Sequence, residues 1–199
     1  MLLPNDHTMG TKPGRPTPRA AVADNDLALG RIVEAISKSK FWPETCVLVT
    51  EDDPQAGLDH VDGHRTIALA ISPYTKRGFV DSTNYNQTGM LRTIELMLGL
   101  PAMNQIDLSA TPMVNCFQPN ADLAPFTALA NNIPLDELNP PLTALTGPAR
   151  EWAIKSEAEP LDDIDEADED TLNRIIWHAV KGYDVAYPAT EYGGGDDDD

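Results

Sequence analysis

The chain has 199 residues, enough for one domain with a core of its own, and its 41% hydrophobic content with few aromatics suits a globular protein. The formal charge of −18 is unevenly placed: residues 157–170 hold nine acids and the terminal DDDD four more, so the remainder carries 19 acids against 14 Lys and Arg. A balance of that sign excludes nucleic acid as the expected partner, because phosphate binding needs clustered Lys and Arg. No run of 18 apolar residues exists, so no transmembrane segment is expected.

In chain order, residues 1–20 are polar and Pro-rich and read as an extended loop. The start MLLPNDHT lacks the basic-then-apolar layout of a signal peptide. A helix follows, with Asp24 or Asp26 as its cap and Leu27, Leu29, Ile32, Val33 and Ile36 as its apolar stripe, stopped by FWPE at Pro43. TCVLVT and IALAIS (67–72) are short apolar runs with β-branched residues, the pattern of buried strands. QTGMLRTIELML (87–98) is a second helix, with Gly99 as its C-cap and Pro101 just beyond. Residues 115–160 are rich in proline and lack long periodic stretches, so they are expected to wrap the surface. DEDTLNRIIWHAVKG (168–182) has acids in its first turn, Leu172, Ile175, Ile176 and Ala179 along one face, and Lys181 before a glycine stop, which predicts a helix. The tail GGGDDDD is expected to be disordered. Cys46 and Cys116 read as buried free thiols, and Trp42, Trp152 and His178 as packing residues. The acidic run 157–170 lacks the spacing of a calcium loop and reads as a solvated linker leading into the last helix.

Between the two strands lies TEDDPQAGLDHVDGHR (50–65), which gathers Glu51, Asp52, Asp53, Asp59, Asp62, His60 and His64. Carboxylate oxygens and imidazole nitrogens are the donors that hard and borderline cations take. A loop leaving the carboxyl end of a strand is where α/β sheets place their sites. Asp52 and Asp53, adjacent at the strand end, can point to opposite sides and reach two metals. PNDHT (4–8) supplies Asp6 and His7 as a second donor group, although Asx residues in such loops also serve turns.

LPNDHT, ADNDLALGRIVEAIS, VLVTEDDPQAGLDHVDGHRTIALAISPYTKRG and YNQTGMLRTIELMLGLP together resemble the bacterial phosphoesterase family. That family includes phospholipase-C-like and acid-phosphatase-like enzymes within the alkaline phosphatase superfamily. LNRIIWHAVKGYDVAYP resembles the tail of a branch often joined to β-propeller repeats. The resemblance implies an α/β fold, the C-terminal part of an alkaline-phosphatase-like α/β/α sandwich with an extended acidic C-terminal segment. It divides the chain into a phosphoesterase portion (1–118), a surface-wrapping extension with one helix near 168–181 (119–188) and a disordered acidic tail (189–199).

The activity it implies is hydrolysis of phosphate esters, small molecules or phospholipids, assisted by two divalent cations, Zn, Mn or Fe. Asp52 and Asp53 match the superfamily's adjacent acidic pair, and His64 matches its histidine ahead of the last core strand. His60 lies in a DHV motif shared with phospholipase-like members. Asp6 and His7 fall where the upstream Asp and His ligands lie, although many relatives separate that pair by three residues. Arg65 is the candidate for substrate contact. Superfamily members carry their first acidic ligand and their Ser/Thr nucleophile upstream of these motifs, and Thr8, Thr11 and Thr50 stand too close to later motifs to be that nucleophile. The expectation is therefore no catalytic nucleophile in this chain, a missing N-terminal half as its partner, and half of a parallel sheet left exposed. The alternative is a metal- or partner-binding remnant without turnover. A periplasmic or secreted location is implied by the resemblance alone.

Overall fold

The structure, a computed structural model, describes residues 1–3, 7–51, 66–163 and 166–188. The described residues form helices α1 (Pro18–Ser37), α2 (Gln87–Leu98), α3 (Gln105–Ser109), α4 (Gly147–Ala158) and α5 (Glu169–Lys181), with strands β1 (Val47–Thr50) and β2 (Ala68–Ile71). The class is mixed α/β. The strands pair with each other in a two-stranded antiparallel sheet, Val47 opposite Ile71 and Thr50 opposite Ala68. The expected piece of parallel sheet is thus corrected: these strands pair directly as a ribbon. None of the described helices is long and apolar enough to cross a membrane.

Two compact units divide the chain, and the division falls inside α1 between Gly30 and Arg31. The first unit contains the described residues of Met1–Gly30 and Leu129–Asp199. Its core joins α4 to α5: Ala153 and Ser156 on α4 and Ile175 on α5 are fully buried, with Leu172 at 3% exposure. Asp168 caps α5, its carboxylate accepting from the Thr171 N–H at 2.8 Å, which satisfies one of the orphan donors of a first turn. Gly182 ends the helix at φ 108, as its sequence indicates. Helix α4 lies inside the stretch expected to be surface-wrapping with one helix, so that stretch carries two helices.

The Pro-rich start is not a loose arm. Asn139, 5% exposed, donates from its Nδ2 to the carbonyls of Gly10, Lys12 and Pro16 at 3.0, 3.1 and 3.2 Å. Its backbone exchanges bonds with the same loop through Gly14 and Arg15. Ser156 accepts from the Thr11 N–H at 2.9 Å, and Lys12 and Arg15 pair with Asp162. Gly10 is required here twice over: its φ is +53, and a Cβ would stand 2.6 Å from Ser156 Oγ and 3.2 Å from Ile175 Cγ2. Helix α1 begins at Pro18, ahead of the expected Asp24 or Asp26. Thr17 accepts the Ala20 N–H at 3.2 Å, and proline is preorganised for the first helical position.

The second unit contains the described residues of Arg31–Pro54 and Thr66–Ala128. Trp42 (2% exposed) packs edge-on against Phe126 at 6.0 Å and fills its core with Val33, Met90 and Met113. Helix α2 has the predicted bounds, capped by Asn86 and closed by Gly99 at φ 66. The chain at 111–113 runs close along it: a Cβ on Gly89 would meet Thr111 O at 2.5 Å, and Thr93 Oγ1 accepts from the Met113 N–H at 2.8 Å. Asp107 (1% exposed) starts α3 by accepting from the N–H groups of Met103 and Asn104 in a capping box.

Candidate functional site

Both arms of the acidic loop spring from one end of the ribbon. β1 ends at Thr50, the Glu51 N–H donates to Ile67 O at 3.4 Å, and Thr66 Oγ1 donates to Glu51 Oε2 at 3.0 Å. The described chain therefore leaves at Glu51 and returns at Thr66 side by side, at the carboxyl end of β1 as expected. Asp52, Asp53, His60, His64, Arg65 and Asp6 lie outside the described residues. His7 is described and exposed. Among the described residues no group of three or more His, Cys, Asp or Glu could hold a metal ion.

Beyond the β2 end of the ribbon, the second unit holds a polar cluster that sequence reasoning missed. Asp81 accepts from the Thr83 N–H at 3.0 Å, from Thr83 Oγ1 at 2.8 Å and from the Tyr85 hydroxyl at 2.9 Å. The Thr83 bonds, foremost its hydroxyl, hold the Asp81 carboxyl below its ordinary range. Cys116 Sγ lies 3.6 Å from the same carboxylate. Burial, then the Asp81 charge, pushes the Cys116 thiol up, and burial with the Cys116 charge pushes Cys46 up to about 11. Both cysteines are free and half-buried, and both are held as thiols, the unreactive form. The cluster ties the chain after β2 to residues 115–117; it offers no activated nucleophile.

The neighbouring cations are committed to structure. Lys76 Nζ donates to Asn115 O at 2.7 Å and lies over the Phe79 ring. Arg77 pairs with Asp122 at 3.0 Å, donates to Ala124 O and stacks 4.4 Å from the Phe126 ring. The only sequence signal for this arrangement is the basic pair itself, which does not reveal its acceptors because they are backbone carbonyls some forty residues away.

In the first unit His178 (8% exposed) stacks on Trp152 at 4.6 Å and lies parallel to Tyr183 at 6.5 Å. It is a packing residue, as are Trp152 and, in the second unit, Trp42. The described part of the acidic run serves surface pairs and the α5 cap: Asp162 with Lys12 and Arg15, Glu159 accepting from the Asp168 N–H, and Asp168 as the cap itself.

Among known proteins, the model of the Phosphoesterase family matches residues 16–101, somewhat less than half of the chain. The matched stretch contains α1, the ribbon with its acidic loop, and α2. No curated protein matches the chain.

Proposed function

We propose, from the match of residues 16–101 to the Phosphoesterase family model, that the chain takes part in metal-dependent hydrolysis of phosphate esters, with the Ser/Thr nucleophile supplied by polypeptide outside residues 1–199. The observation that carries this reading is the ribbon base. The Glu51–Ile67 and Thr66–Glu51 bonds bring residues 51 and 66 together, so a donor-rich segment is anchored at both ends to a strand pair that lies within the family match.

The donor set fits the group: Asp52, Asp53, Asp6 and the imidazoles of His7, His60 and His64 are the oxygen and nitrogen ligands that Zn, Mn and Fe accept. Bound there, divalent cations would supply charge neutralisation for the phosphoryl oxygens and acidify a bound hydroxyl. The chain's own part would be to supply these carboxylates and imidazoles, with Arg65 as the candidate contact for a phosphate oxygen. The second reading is a metal- or partner-binding remnant without turnover.

The test is metal content. Metal-stripped protein refilled with Zn, Mn or Fe and measured by elemental analysis is expected to bind two equivalents, and Asp52→Ala with Asp53→Ala is expected to abolish that binding. Unchanged stoichiometry in the double variant would sink the proposal. Hydrolysis of p-nitrophenyl phosphate by the metal-loaded complete assembly separates the enzyme from the remnant.

A further inference from the structure

Around α2 and α3 the second unit exposes a large apolar surface. Helix α3 packs on α2, and residues 111–113 run close along α2, so side chains of the three segments share one region of the surface. Leu98, Met103 and Ile106 are 67%, 69% and 70% exposed, Val114 61%, and Leu96 and Met97 close to half. At the ordinary areas of fully exposed Leu, Ile, Met and Val, these six leave on the order of 700 Å² in water. The largest apolar patch on a typical monomer is roughly 300–600 Å², and each partner of a standard interface buries roughly 800 Å². The surface is not flat. Thr93, Leu96, Met97, Pro112, Val114 and Phe117 line a cavity of about 260 Å³, while Met103 and Ile106 are the most exposed side chains of the region.

The same surface is free of exposed charge. Between Arg92 and Asp122 the only charged residues are Glu95 and Asp107, and both are buried. Glu95 pairs with Arg92 at 3.0 Å, and Asp107 accepts from the N–H groups of Met103 and Asn104. Much of the chain's negative charge belongs instead to residues 157–170 and the terminal DDDD.

We infer that a second copy of the chain docks here, in a two-fold pair in which Met103 and Ile106 of each copy enter the cavity beside α2 of the other. Three observations select that occupant. The area is close to what each partner of a stable pair buries. Hollow and protruding side chains lie on one surface, which suits a two-fold contact, where residue i meets j and j meets i. Such a contact also brings each charge near its own mate, and like charges face to face cost several kcal/mol; this surface has none to set against each other. A charged partner would find nothing here to select it. A lipid surface is disfavoured because interfacial helices carry Lys and Arg around the apolar face, and none lies between Arg92 and Asp122.

The experiment is light scattering of the full chain across a dilution series. The mass is expected to rise with concentration from 21.6 kDa toward twice that value. Added sodium chloride is expected to strengthen the pair, because it screens the repulsion between two acidic chains; weakening would mean that ion pairs hold it and overturns the inference. Ile106→Glu and Leu98→Glu, both at exposed positions, are expected to raise the dissociation constant at least about thirtyfold with circular dichroism unchanged. Val180→Glu, at a 59% exposed position on α5, is expected to leave it as it is. The methionine methyls report the place of the contact. With a soluble nitroxide, the Met97 and Met103 signals are expected to broaden in dilute protein and recover in concentrated protein, while buried Met90 and Met113 stay sharp throughout. A monomer mass at every concentration overturns the inference. So does a dimer that survives both glutamate variants, is lost in Val180→Glu, or leaves Met97 and Met103 broadened. Adsorption to phosphatidylcholine vesicles in place of pairing makes a lipid surface the occupant and overturns it too.

Discussion

The two units solve the same problem with different means. The first closes on itself. Its helices bury Ala153, Ser156 and Ile175 completely, and a single amide, Asn139, gathers three carbonyls of the N-terminal loop. The second has a core at Trp42, Met90 and Met113 but leaves the loop end of its ribbon, at Thr50, Ala68 and Leu69, and large apolar side chains of α2 and α3 exposed. Most of the family match falls in that second unit. Polar groups desolvated in a closed unit are expected to be satisfied internally; the Asn139 amide and the Thr11 N–H are. A surface kept apolar in the open unit has a cost in water and implies a use.

The sharpest way to break this comparison is to truncate one aliphatic side chain in each unit. Ile175→Ala, at a fully buried position, is expected to destabilise the protein by about 3–4 kcal/mol in urea unfolding. Leu69→Ala, at a 40% exposed position near the loop end of the ribbon, is expected to cost less than about 1 kcal/mol. Comparable losses at the two positions would mean that Leu69 is covered. Next in size, Asn139→Ala strips the carbonyls of Gly10, Lys12 and Pro16 of their shared donor, with an expected loss of about 2 kcal/mol. Limited proteolysis of that variant should cut first within residues 10–16; cleavage beginning elsewhere would deny Asn139 its clamping role.

The smallest effect is electrostatic. Glu137 forms a two-bond pair with Arg19 at 2.6 and 2.7 Å and accepts from Thr17, so its carboxyl is lowered from 4.5 to about 2, chiefly by the Arg19 bond. A depressed carboxylate stabilises the fold above its unfolded value of 4.5 and loses that contribution as pH falls through about 2. Melting temperatures measured from pH 6 to pH 2 should therefore fall less steeply for Glu137→Gln than for the natural chain. Identical slopes would mean that the surface pair contributes nothing, the ordinary fate of exposed ion pairs.

Where residues carried their own local reason for a structure, the sequence was legible. Helix α2 announces itself by apolar spacing and by the glycine after Leu98, and α5 by acids at its start and Leu172 and Ile175 on one face. The strands are visible as short β-branched runs flanking the loop. Helix α4 is not visible in this way, because the residues it buries are Ala153 and Ser156. Small side chains leave no aliphatic stripe, and the adjoining prolines suggest a loop. The α1 start was misjudged for a related reason: Thr17–Pro18 is a sound helix entry, but it sits inside a Pro-rich run that reads as irregular.

The mixed α/β class, the placing of a donor-rich segment between two apolar runs, and the resemblance of residues 16–101 to the phosphoesterases can be read from the residues alone. Composition, periodicity and motif order are local properties, and they survive without knowledge of what touches what. Only the tertiary structure decided that the two strands pair antiparallel, that Asn139 holds a loop more than a hundred residues upstream, and that both thiols are muted by burial and the nearby negative charge. Those outcomes depend on which hydrogen-bonding groups and charges the chain brings together after losing contact with water. Long-range desolvation of that kind leaves no period or spacing in the sequence.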